Sequence, residues 1–295
     1  MSESPIDPPL QFVLNAYYGE YFVELEAIAA ACSLVGCLFT IMISLKHFSR
    51  RYINRMIIIL CLIDIVFALS AFWQWAPSCT PFLCKLLSLI SCASYAGSLV
   101  LTCCFAHSLY AVLNHHSPVY ETVEHNWRFY MTITTIVGSI NGFFALIFNF
   151  RRVDDFKGHC VHFNSKGPGT NLIVDTIPAI ICDFYCIFCY ALVIRKLKTL
   201  SQRYHMELMC YPIIIVICTL PKAVKEIMIF FEGEPSVEFY FIQGILSVLQ
   251  GFFNAMAYGV VHKIQNCRKN RNVQEEEEDD DTMSLGNRSS KQSLV

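Results

Sequence analysis

The sequence has little charge. Only 16% of its 295 residues are Asp, Glu, Lys or Arg, and the net charge is −2. A nucleic-acid partner calls for a basic face, which this balance does not supply. Met1–Glu24 holds Glu3, Asp7, Glu20 and Glu24 but no Lys or Arg. The basic n-region of a cleavable signal peptide is therefore missing, and the first apolar segment is expected to direct insertion itself. No internal repeat is apparent, which argues against the duplicated halves of many transporters. His residues are scattered, no set of side chains has metal-ligand spacing, and no nucleophile–base motif stands out. The expectation is a protein that is not an enzyme and holds neither metal nor cofactor. The 15 Cys lie mostly inside apolar runs. There a thiol behaves as a small hydrophobe, so a disulfide framework does not fit.

Apolar sequence is what the chain has in quantity: 55% of residues, with a mean hydropathy of +0.45. These values belong to the membrane class. A bilayer core of ~30 Å takes about 20 apolar residues as a helix. Seven stretches qualify: Leu25–Leu45, Met56–Phe72, Leu86–Leu113, Phe129–Phe150, Leu172–Ile194, Leu208–Phe231 and Val237–Val261. The expected fold is an all-α integral membrane protein with a seven-transmembrane helix bundle over residues 25–262. Residues 1–24 form a short N-terminal segment and residues 263–295 a tail. Segments on the C-terminal side of the bundle hold 13 Lys and Arg, against five on the other side. The positive-inside rule then puts the N-terminus outside and the C-terminus in the cytosol, in a multi-pass protein of the plasma membrane.

Polar residues inside apolar spans are costly and therefore informative. Gln250 and Asn254 are four apart and share one helix face, with Gly251 beside them and Tyr258 a turn further on. Asp64 sits in the middle of the second span. At ~1.5 Å per residue from the cytosolic ends, Asp64 and Asn254 come to similar depth. They are expected in one buried polar network, either a structural tie or a switch. Pro212 and Pro221 are expected to kink the sixth helix. Lys222 and Glu226 are four apart and could pair. Lys225 has no obvious local partner and could snorkel or meet an anionic ligand. Lys222, Lys225 and Glu226, with Arg152 in an outer loop and Gln243 in the seventh span, are the candidate ligand contacts. Cys84 and Cys160 fall on the expected outer side, where a disulfide can form, with Cys79 as the alternative to Cys84. The seventh span contains no Lys, so a retinal Schiff base has no place there.

Beyond the bundle, Cys267 in a basic stretch is a palmitoylation candidate or a free thiol. Glu275–Asp281 is seven consecutive acids, a solvated run. Ser293-Leu294-Val295 has the shape of a ligand for a PDZ domain.

Four groups of residues carry a resemblance to a known family. They are Tyr211-Pro212 with Cys218 and Pro221; Gln250-Gly251-Phe252-Phe253-Asn254-Ala255 with Tyr258-Gly259; His107-Ser108-Leu109-Tyr110; and Asp64 after Leu60 and Leu62. The chain resembles the G-protein-coupled receptors, most closely the cyclic-AMP-receptor-like group that borders the secretin-type receptors. The match covers Leu208–His262 and parts of Ile53–Leu113. The Asp-Arg-Tyr and Asn-Pro-x-x-Tyr motifs of rhodopsin-type receptors are missing, and Trp127 lies before the fourth span rather than inside it. The resemblance implies a receptor passing an extracellular signal to a heterotrimeric G protein. Its cytosolic contacts would be His107, Tyr110, Arg195, Lys198 and Arg203, and a phosphate-bearing ligand in the group points to an anion. The alternative is a membrane transporter or channel, for which Asp64 and Asp183 are the only acids at depth.

Overall fold

Inside hydrocarbon a segment must satisfy its own backbone N–H and C=O groups, so long apolar runs fold as helices. The computed structural model of the protein describes residues 9–46, 52–73, 80–115, 119–148, 151–153, 160–162, 176–200, 210–231, 239 and 241–257. These contain seven helices: α1 Pro9–Lys46, α2 Tyr52–Trp73, α3 Pro81–His115, α4 Val119–Ile147, α5 Ile177–Leu200, α6 Cys210–Phe230 and α7 Phe241–Ala257. Between α4 and α5, strands β1 (Arg151–Val153) and β2 (Cys160–His162) pair antiparallel, with Val153 opposite Cys160. This short ribbon lies in the loop expected between the fourth and fifth spans. It lies against α3.

Five helices contain a stretch long and apolar enough to cross a membrane: Glu24–Leu45, Arg55–Trp73, Pro81–Ser108, Asn126–Ile147 and Ile177–Lys196. Helix α6 spans 21 residues but carries Lys222, Lys225 and Glu226. Helix α7 is apolar and is described over Phe241–Ala257. Several ends lie beyond the expected spans. Helix α1 begins at Pro9 rather than Leu25, α4 begins at Val119 rather than Phe129, and α5 continues to Leu200. Arg195 and Lys198 therefore ride on a helix rather than in a loop. Glu, Lys and Arg are good helix formers, so a helix need not stop where apolarity does. Pro221 lies inside α6. Pro212 lies near the start of the described part of α6, beside residues outside the described set.

Large apolar side chains point outward, among them Val35, Phe143, Ile181 and Phe184. Helix α3 is the axis: 72% of its span is buried, against 33–44% for the other four spans. It packs on α2, α4, α5 and α6. Close approach at two seams depends on glycine. A Cβ on Gly142 would lie 2.9 Å from the Leu89 carbonyl oxygen, and one on Gly138 2.9 Å from that of Ala93, so α4 rests directly on the α3 backbone. A Cβ on Gly251 would meet Ser33 Oγ, Cys37 Sγ and the Asp64 Cβ, which brings α7 against both α1 and α2.

Candidate functional site

Helix α7 is anchored on α1 and α2 by small buried side chains. Val248 packs with Ala29, Ala30, Ala68 and Ala71, and Ala257 with Cys37, Ile57 and Cys61. That packing turns Gln250 and Asn254 toward α2 and α3. Asn254 Nδ2 donates to Asp64 Oδ2 at 3.0 Å, and Ser98 Oγ donates to Asp64 Oδ1 at 2.7 Å. Gln250 Nε2 donates to Ser98 Oγ at 3.0 Å. All four side chains are buried, none more than 3% exposed. The structure thus brings together Asp64, Gln250 and Asn254 and adds Ser98, joining α2, α3 and α7. Both carboxylate oxygens of Asp64 accept a hydrogen bond, which is what a carboxylate at this depth requires.

Such a network can act as a switch. Interhelical hydrogen bonds in membranes are worth about 0.6 kcal/mol on average and about 1.7 at most. Exchanging one partner therefore costs little beside the binding energy of a small ligand.

A second polar group lies toward the N-terminal end of α3. Lys222 Nζ stands 3.9 Å above the Tyr95 ring, and Lys225 Nζ pairs with Glu226 Oε1 at 2.8 Å. The expected Lys222–Glu226 pair is thus replaced: Lys222 turns to α3 and its neighbour one turn on takes the carboxylate. Lys225 has a partner after all, and the charge it would offer an anion is already matched. Thr219 Oγ1 donates to Asp183 Oδ2 at 2.5 Å, tying α6 to α5. Gln243 is half-buried, and its carbonyl accepts from Ser247 Oγ at 2.8 Å.

Of the expected cytosolic contacts, His107 is half-buried and engaged with neighbouring helices. Its Nδ1 lies 2.6 Å from the Tyr185 hydroxyl, and its ring stacks on Tyr185 and meets Tyr130 edge-on. It joins α3 to α4 and α5 at a partly exposed position. Tyr110 is half-buried and Arg195 is exposed. Cys84 is fully buried and is the one cysteine with a described side chain that is not a free thiol. Tyr258, Arg203, Cys267, Ser293, Leu294 and Val295 lie outside the described residues, as do the side chains of Arg152, Cys160, Lys198 and Pro212. Among the described residues no group of three or more His, Cys, Asp or Glu is placed to hold a metal ion.

Fold and site together define a polytopic helical bundle with a buried polar core, of the multi-pass membrane kind. No family model matches the sequence, and no curated protein matches it.

Proposed function

We propose that the chain is a seven-helix receptor that passes an extracellular signal to a heterotrimeric G protein. The observation that carries this reading is the Asp64–Ser98–Gln250–Asn254 network, a set of exchangeable bonds joining three helices at the centre of the bundle. On this proposal a ligand selects between this packing and a second one in which the partners of these four side chains are exchanged. In this reading α6 and α7 complete the seven crossings, the N-terminus lies outside, and the protein resides in the plasma membrane. A small polar ligand contacts α6 through Lys222, Lys225 and Glu226, with Gln243 and Arg152 nearby. The G protein meets Tyr110, Arg195, Lys198 and Arg203, and Ser293-Leu294-Val295 is offered to a PDZ domain.

Cyclic-nucleotide and calcium reporters in transfected cells test this. Expression of the chain is expected to change basal output relative to mock cells, and Asp64→Asn to alter that change while surface expression persists. Reporter output identical to mock in both assays sinks the receptor reading. Sidedness is tested separately. A tag at residue 2 is expected to stain intact cells, and one at residue 295 only permeabilised cells; the reverse pattern overturns the orientation.

The reading includes a Cys84–Cys160 bridge that ties the ribbon to α3. Its support is that Cys84 is not a free thiol and that β1, the partner of β2, packs on α3. Cys84→Ser and Cys160→Ser are each expected to reduce surface expression, with the double mutant no worse than either single. Losses that add would mean that the two are not partners.

A further inference from the structure

Buried oxygens without a hydrogen-bond partner lie on each of α3, α5 and α6. Tyr95 packs on Ala179, Lys222 lies over Tyr95, and Thr219 meets Asp183, so α6 runs antiparallel to α5 beside α3. Thr176 lies seven residues before Asp183 and Glu226 seven after Thr219. Both are therefore displaced ~10 Å from the Asp183–Thr219 bond in the same direction, and they come level with each other. Among the described residues, Asp183 Oδ1, Glu226 Oε2, Thr176 Oγ1 and Ser88 Oγ are buried and make no hydrogen bond. Glu226, Thr176 and Ser88 are 3%, 1% and 1% exposed. An unmade bond at such depth costs about 1–3 kcal/mol, so these oxygens on three adjacent helices, with Thr176 and Glu226 level and Asp183 ~10 Å away along the axis, call for partners that the bundle itself does not supply.

The chemistry of the occupant follows from what is missing. Two of the four oxygens belong to carboxylates and call for donors. The two lysines are already placed, one on Glu226 Oε1 and one over Tyr95. Asp183 and Glu226 balance Lys222 and Lys225, so the site has no net charge to draw an anion. A molecule carrying both signs fits it. We propose that α3, α5 and α6 form a binding site for a small zwitterion, an α-amino acid with a donor on its side chain. Its ammonium meets Glu226 Oε2, and its carboxylate meets Lys222 one turn away. The side-chain donor reaches toward Asp183 Oδ1, and the Thr176 and Ser88 hydroxyls supply the remaining bonds. The site overlaps the ligand contacts of the receptor reading and rests on that reading for its biological role alone, since binding is measured here without a G protein.

The test is thermal denaturation of the purified full chain in detergent, with L-serine, L-asparagine and L-glutamine as probes. Each probe is compared with its methyl ester, which keeps only the positive charge, and its N-acetyl derivative, which keeps only the negative. At tenfold over its Kd, at least one amino acid is expected to raise Tm by about 3 °C. Its ester and N-acetyl forms are expected to give less than half of that rise, and Glu226→Gln to remove most of it. No rise with any of the three amino acids overturns the site, and so does an equal rise with an ester or N-acetyl form. These arms use the parent chain, so they decide the matter even if Glu226→Gln does not fold. A zwitterion-specific rise in a chain that leaves both reporters at mock level sinks the receptor reading and leaves the site standing.

Discussion

Gly142→Val is expected to abolish surface expression and to leave little folded protein in detergent. The atom that a Cβ at this position meets is a backbone oxygen, that of Leu89, at 2.9 Å, with the Ala93 Cβ at 3.0 Å. Neither can rotate away, so α4 must lift off α3, the helix on which the bundle is centred. Overpacking of this kind costs about 1–3 kcal/mol for the first methylene, and valine adds two further methyls. Gly138→Ala faces the same obstacle at the Ala93 carbonyl and should be destabilising despite alanine's better helix propensity. Gly97→Ala is the control. Its nearest neighbours are 3.8–3.9 Å away, ordinary contact distance. The gain of up to ~1 kcal/mol from replacing a helical glycine should therefore show as a neutral or raised Tm. Equal stability of Gly142→Val and the parent would mean that α3 and α4 do not approach this closely.

The second large effect is a swap. Asn254→Asp sets two carboxylates where a donor and an acceptor now stand 3.0 Å apart. Leaving a buried charge uncompensated costs about 3–5 kcal/mol, so this single change is expected to lose most folded protein. Asp64→Asn alone is milder, because the shape is kept and Ser98 can still donate to the remaining oxygen. Combining the two restores one carboxylate and one amide with their positions exchanged. Expression and Tm of the double mutant should recover most of what Asn254→Asp loses. If the double mutant is no better than Asn254→Asp, Asp64 and Asn254 do not face each other.

Much of the central network was legible in the chain because Asp64, Gln250 and Asn254 interrupt apolar runs that hydrocarbon would otherwise penalise. Counting helical rise was enough to bring them to one depth. Ser98 escaped that reading for a physical reason. A serine in a helix can bond the carbonyl four residues back, so its presence in a membrane span needs no partner on another helix. Ser94, Thr102 and Ser108 on α3 all do this. Only Ser98 turns its hydroxyl across to Asp64. A signal existed in the regular spacing of Ser88, Ser91, Ser98 and Thr102 along one span, which marks α3 as a helix with a polar face.

The pairing on α6 was not legible, for the opposite reason. Residues four apart share a helix face, and neighbours do not, so spacing favours Lys222 with Glu226. The ring of Tyr95, on another helix and more than a hundred residues away in sequence, captures Lys222 and leaves Glu226 to Lys225. His107 likewise meets Tyr185, 78 positions on in the chain, a contact that spacing along α3 does not foretell.

The sequence by itself determined that the chain is helical and membrane-like, and which polar residues must turn inward. Solvation penalties act on each residue wherever its neighbours lie. The tertiary structure alone decided which of those residues meet. That choice depends on helix order, rotation and closeness, set by packing at Gly142, Gly138 and Gly251 among partners far apart in the chain.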